Sequence, residues 1–151
     1  MKYVNLKTGE VLLNADYVDI KPYTFSYNEE EKKFEHGKWI EIDDQLITPI
    51  IILNRKGYIT EFCCSGHVYK TLLSSYVKFE EPIFKLQELK KYPLDADIFS
   101  IEKDNSIRMN ELYKHEDNPI VAQKLIDRFC IELLAWAISI PNRKDCKMIN
   151  E

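Results

Sequence analysis

An α+β (α/β) domain, with helices packed on a mixed sheet, is the fold class this sequence predicts, and three observations predict it. Residues 42–54 and 117–140 repeat apolar side chains at helical spacing, whereas 57–63, 75–80 and 98–109 alternate or run apolar over strand lengths. Turn residues separate these segments. A hydrophobic fraction of 45% with four Gly and six Pro excludes a disordered or low-complexity chain. At 151 residues the chain has one domain's length, enough to bury roughly 70% of its unfolded surface without staples. We read one domain over 1–151, with a β-rich N-terminal extension (1–41), an α/β core (42–112) and a long C-terminal helix (117–140).

The N-terminal extension is aromatic and alternating. Tyr3, Val4 and Leu6 precede a turn at Lys7-Thr8-Gly9-Glu10; Val11-Leu12-Leu13 and Tyr23-Thr24-Phe25-Ser26-Tyr27 follow. An acidic turn spans Asn28 to Lys32, and Phe34 to Ile42 is extended, with His36-Gly37 and Trp39 within it. These residues predict a small β appendage beside the core, serving as a lid, an oligomer contact or a plain extension.

In the core, Ile42-Asp43-Asp44-Gln45 opens a helix in which Leu46, Ile47, Ile50, Ile51 and Leu53 share a face. Thr48-Pro49 divides it into a first turn and a main helix, because proline lacks the backbone donor. Asp43 and Asp44 suit a helix start through capping and the helix dipole; the alternative for Asp43 is a place facing the Cys64 loop. Asn54-Arg55-Lys56-Gly57 stops the helix.

The run Gly57-Tyr58-Ile59-Thr60-Glu61-Phe62-Cys63 then reads as a strand ending in the tight turn Cys64-Ser65-Gly66-His67, and Ser75 to Glu80 as the next strand. Ile83 to Leu89 continues the strand or makes a helical turn, and Lys90-Lys91-Tyr92-Pro93 is a loop. Residues 98–102 and 106–109 form a hairpin about Lys103-Asp104-Asn105 that extends the sheet.

The final helix has Asp117-Asn118-Pro119 as cap and N1 proline and ends at Pro141-Asn142, before a polar tail. Val121, Leu125, Phe129, Leu133 and Trp136 make one stripe, with Ile126, Cys130, Leu134 and Ala137 beside it. So wide an apolar face marks a central core helix or one shared with a second subunit.

The Cys64-Ser65-Gly66-His67 turn is the candidate site. Amides around a Gly with positive φ can form an anion-binding nest, to which Ser65, His67, Lys70, Thr71, Ser74 and Ser75 would add donors. Such a nest suits a phosphate, a carboxylate or a methionine-like group. Tyr58, Thr60 and Phe62 are expected on the strand face of Cys64, as core or as pocket wall, and Tyr76 and Lys78 share a face of the next strand and complete that wall. Asn54 either closes its helix or contacts the loop. The ligand-binding set is thus Asn54, Thr60, Cys64, Ser65, Gly66, His67, Tyr76 and Lys78.

A nucleophilic Cys64 with His67 as its base is the catalytic alternative. Cys63, Cys64 and His67 lack the paired spacing of a zinc site, so no metal is expected.

Ile42-Asp43, Ile47, Pro49-Ile50, Leu53-Asn54, Tyr58, Thr60, Cys64-Ser65-Gly66 and Val77-Lys78-Phe79-Glu80-Glu81-Pro82-Ile83 carry a resemblance. They resemble the core of the family that performs the third, methyl-transferring step of wybutosine synthesis on tRNA. The resemblance covers about a quarter of the chain. It implies an α/β core and S-adenosylmethionine chemistry on a modified guanine of tRNA. At His67 the family pattern has Arg, a residue that grips phosphate or carboxylate bidentately. The chain looks closer to small bacterial and phage proteins with a Cys-Ser-Gly-His turn.

Net charge is −4, with acids at Asn28-Glu29-Glu30-Glu31 and Ile42-Asp43-Asp44 and bases only in short clusters such as Lys90-Lys91 and Arg143-Lys144. A tRNA-binding surface shows a basic stripe, so this balance weighs against a nucleic-acid substrate. Four cysteines, two of them adjacent, fit reduced thiols. Neither a signal-peptide core nor a membrane span is visible, which places the chain in the cytoplasm, the host's for a phage-encoded protein.

The function expected is a binding protein, oligomeric through its C-terminal helix, that holds a small anionic metabolite or nucleotide at the Cys64–His67 loop without a cofactor. Encoded by a phage, it would sequester a nucleotide immune signal. The alternatives are an S-adenosylmethionine-dependent methyltransferase-like enzyme and a structural or interaction protein.

Overall fold

The computed structural model describes the backbone of residues 2–5, 11–12, 27–28, 33–34, 39–66 and 75–149. The N-terminal extended segments form β1 (Lys2–Asn5), β2 (Val11–Leu12), β3 (Tyr27–Asn28), β4 (Lys33–Phe34) and β5 (Trp39–Ile42). β1 lies between β2 and β5, with Tyr3 opposite Leu12 and Lys2 opposite Ile42, while β3 and β4 pair separately. The turns expected at 7–10 and 28–32 and the strand at 23–27 fall largely or wholly outside the described residues.

The core begins where β5 ends. A 3-10 turn (Asp44–Leu46) leads into α1 (Ile47–Arg55), whose Ile47, Pro49, Ile50 and Leu53 are buried. Pro49 is tolerated because it stands in the first helical turn, where its missing N–H has no intrahelical acceptor. The division of this segment therefore falls just before Ile47. Gly57, at φ 93°, turns the chain out of the helix, and Tyr58 N donates back to Leu53 O at 2.9 Å.

β6 (Thr60–Cys64), β7 (Tyr76–Phe79), β8 (Phe99–Ile101) and β9 (Ser106–Met109) form an antiparallel sheet in the order β6-β7-β9-β8. α2 (Pro119–Ser139) packs with α1 on one face of this sheet. Val77, Phe79 and Ile107 from the sheet, Ile50 and Leu53 from α1, and Ile126, Phe129 and Leu133 from α2 join one buried cluster. The Phe99 and Phe129 rings lie 5.0 Å apart within it. Helices on one side of an antiparallel sheet make this an α+β fold.

α2 starts and stops by side-chain chemistry. The Asn118 side chain accepts from Ile120 N and Val121 N, and Pro119 occupies the first turn. At the other end Lys56 Nζ donates to the carbonyls of Ile138 and Ile140 at 2.7 and 2.6 Å, satisfying acceptors the helix leaves open. Phe129, Leu133 and Trp136 are buried and Leu125 is half-buried against the core, so the stripe is core-facing from Leu125 on, while Val121 is 41% exposed. Leu125 and Phe129 are therefore not the residues of an outer interface. The outward face carries Ile120, Ile131 and Ile138, exposed by 69%, 66% and 59%.

The polar tail is stitched to the core. Arg143 N donates to Lys56 O, Gln87 N to Lys147 O and Ile149 N to Lys85 O, and Leu86 bridges Met148. Among the described residues no helix is long and apolar enough to cross a membrane.

Candidate functional site

β6 carries the candidate site, and its alternation breaks partway. Thr60 pairs with Phe79 but Phe62 pairs with Lys78, so one extra residue, Glu61, bulges from β6. Paired residues share a face of the sheet. Thr60 therefore lies with buried Phe79 and Cys63 with buried Val77, whereas Cys64 stands on the outer face opposite Tyr76. The expectation that Tyr58, Thr60, Phe62 and Cys64 share one face is thereby corrected: the bulge moves Thr60 to the core side. Tyr58 is fully buried just before the strand, its hydroxyl donating to Pro141 O at 2.6 Å.

Asn54 and Thr60 serve the corner between α1 and β6. Asn54 Nδ2 donates to Ile50 O at 2.8 Å and to Thr60 Oγ1 at 2.9 Å, and Thr60 N donates to Asn54 Oδ1 at 3.3 Å. Of the two roles open to Asn54, its described bonds serve the helix end and the strand start.

The turn itself is pinned from three sides. Asp43 Oδ2 accepts from Ser65 N at 2.8 Å and from Ser65 Oγ at 3.0 Å, and Ser75 Oγ donates to Ser65 O at 2.5 Å. Gly66, at φ 103°, lets the chain pass so close that an added Cβ would stand 2.7 Å from Ser75 Oγ and 3.2 Å from Ile126. Gly66 N donates to Cys64 Sγ at 3.4 Å.

Two expectations change here. Asp43 makes no side-chain cap to its own helical turn; the carboxylate crosses to the Ser65 loop because two donors converge there. Two amides of the anticipated nest are also engaged, Ser65 N by Asp43 and Gly66 N by the Cys64 sulfur. The anion that fills the turn is the protein's own.

Beside the turn, the outer sheet face gathers polar and aromatic groups. Tyr76 stands opposite Arg108, whose guanidinium lies 4.9 Å from the ring centroid. Lys78 Nζ is 3.9 Å from Glu61 Oε2, and Arg108 Nη2 is 3.1 Å from Asp104 Oδ2. The Lys78 and Arg108 side chains are 33% and 36% exposed, so solvent reaches both cations. Burial, with the Cys64 and Cys63 sulfurs, pushes the Tyr76 phenol up against the opposing pull of Arg108. Tyr76 thus remains a protonated donor at neutral pH. Arg108 is the site residue that sequence reasoning missed. Its signal was its alternation with Ile107 and Met109, which puts it outward.

The thiols on the core side are held in the protonated form. Burial pushes the Cys63 thiol up to about 12, with the Asp43 charge adding to it, and burial followed by the Asp127 charge does the same for Cys130. His67, the base of the nucleophile–base pair with Cys64, lies outside the described residues, as do the donors Lys70, Thr71 and Ser74. Among the described residues no group of three His, Cys, Asp or Glu is placed to hold a metal ion.

Two clefts lie along the C-terminal half of α2. One, of about 310 Å³, is lined by Tyr92, Leu94, Asp95, Phe99, Glu132 and Trp136 among others; the second, of about 230 Å³, shares Tyr92, Leu94 and Trp136 and adds Phe84 and Ile101. Neither is lined by Cys64, Ser65, Gly66, Tyr76 or Lys78. No family model, curated protein or solved structure matches the chain.

Proposed function

We propose that the protein binds a small anionic ligand carrying an aromatic ring, a nucleotide or similar metabolite, on the outer sheet face beside the Cys64–Gly66 turn. The observation that carries this reading is the convergence of Tyr76, Arg108, Lys78 and Cys64 on that face, with both cations open to solvent. A phenol and a guanidinium in contact offer a stacking surface and a charge-assisted donor side by side, and Lys78 supplies a second cation. The turn contributes a fixed edge rather than free amides, since Ser65 N already serves Asp43. The net charge of −4 suits a small ligand better than a polynucleotide.

Binding without chemistry is the reading, as for a protein that sequesters a nucleotide signal in the cytoplasm of a phage's host. Assembly through α2 belongs to it, on the face of Ile131 and Ile138. The Asp43–Ser65 contact favours a second reading, in which the turn is a structural joint of an interaction protein.

Native mass spectrometry on purified protein tests these readings, with AMP, ADP, cyclic nucleotides and S-adenosylmethionine added in turn. A stoichiometric nucleotide adduct that survives incubation unchanged, and that Arg108→Ala or Lys78→Ala weakens about tenfold, supports the proposal. An adduct with S-adenosylmethionine alone turns the reading to methyl transfer. No adduct of any kind leaves the structural reading.

A further inference from the structure

We propose that Asp43 is a positioning residue for the ligand face, fixing Ser65 and, through it, the Cys64–Tyr76 rung of the sheet; the inference rests on the binding reading above. Asp43 follows β5 directly and precedes the 3-10 turn whose open amides are the donors nearest to it in sequence. It leaves them uncapped and reaches a residue 22 positions away in sequence. Both donors that Ser65 owns, its amide and its hydroxyl, go to one carboxylate oxygen, while its carbonyl accepts from Ser75. All of the hydrogen-bonding groups of Ser65 are thus held, and the residue is buried.

Ser65 is the first residue past the end of β6. Its neighbour Cys64 pairs with Tyr76, and Tyr76 pairs with Arg108. Ser75, on the other arm, precedes Tyr76 and accepts Met109 N at its carbonyl. The bonds at Ser65 therefore clamp both strand ends where the aromatic and cationic groups sit. A charged acceptor makes this clamp stronger than a neutral one. The same carboxylate denies the Ser65 amide to an incoming anion, which is then left to Lys78 and Arg108.

The test is alkylation of folded protein by iodoacetamide, with rates resolved at Cys63, Cys64 and Cys130 by peptide mass spectrometry, alongside calorimetric titration with AMP. Wild type is compared with Asp43→Ala, Asp43→Asn and Ser65→Ala. The Asp43→Ala change is expected to accelerate Cys64 about tenfold and to weaken AMP binding about tenfold, while Cys63 and Cys130, which lose the Asp43 charge but stay buried, speed up by clearly less. Asp43→Asn keeps an acceptor oxygen and recovers most of both. Ser65→Ala, which retains the amide bond, shifts both in the same direction by less and replaces Asp43→Ala if that variant does not fold.

Acceleration of all three cysteines by the same factor would mean general loosening and overturn the proposal, as would an unchanged Cys64 rate or unchanged AMP affinity in Asp43→Ala. Selective acceleration of Cys64 in a protein whose wild type binds no nucleotide rejects the ligand face, and with it this role for Asp43, while leaving the clamp on the turn as a structural fact.

Discussion

Gly66 shows how tightly one residue is constrained at the turn. Its φ of 103° is a conformation that L side chains rarely adopt, and the space for a Cβ is taken by Ser75 Oγ and Ile126. Gly66→Ala combines the left-handed penalty with overpacking against α2, and should cost about 2–4 kcal/mol in urea denaturation, with the slope unchanged. At Arg108 the chemistry rather than the space is tested. Arg108→Lys keeps the charge but loses the planar guanidinium over Tyr76, so nucleotide affinity should fall nearly as far as in Arg108→Ala. Equal affinity of Arg108→Lys and wild type would show that charge alone matters there. At this scale the sequence was legible only in part. The glycine turn stood out in the residues themselves, but the bond from Asp43 to Ser65 spans 22 positions, and of the two places open to Asp43, a cap and one facing the Cys64 loop, the local signal favoured the cap.

At the scale of elements, α2 separates two kinds of exposure. Leu133 is fully buried among α1 and the sheet, so Leu133→Ala should lose about 2–5 kcal/mol from the emptied volume. Ile131 faces outward, and Ile131→Lys should change stability by no more than about 0.5 kcal/mol. If two copies meet on that face, the same variant lowers the mass seen in light scattering while its thermal melt is unmoved; an unchanged mass removes α2 from any assembly.

The helices and core strands were readable because their periods of 3.6 and 2 survive in the sequence. The bulge at Glu61 was not, since it exists only in the pairing of β6 with β7 and nothing in Thr60-Glu61-Phe62 announces it. That one residue decides which side chains of β6 meet the core and which meet solvent.

Over the whole molecule, the C-terminal tail and the buried phenol and thiols join the two ends of the core. Arg143 pairs with Glu81, Tyr58 donates to Pro141, and Cys146 lies buried 3.4 Å from the Tyr58 hydroxyl. Tyr58 is pushed up mainly by burial and then by its bond to Cys146, in the same direction as Cys63 and Cys130. Tyr58, Cys63 and Cys130 are groups that the fold keeps neutral, and the consequence is a stability that falls at alkaline pH.

For Cys63 and Cys130 the ordinary value of 9.0 is raised to about 12 in the folded chain. Above pH 9.0 the unfolded chain sheds these protons and the folded one does not, so the folded state binds more protons and loses ground as pH rises. Their contribution is complete below that value and gone by about pH 12, with Tyr58 extending the decline further. Thermal melts between neutral pH and pH 11 should therefore show a flat midpoint that falls progressively above roughly pH 9. The Cys63→Ala, Cys130→Ala double variant should start lower, because it empties buried volume, yet fall less steeply over the same interval. Parallel curves for variant and wild type would show that these thiols do not carry the alkaline loss, and would leave it to Tyr58 and the tail that its hydroxyl holds.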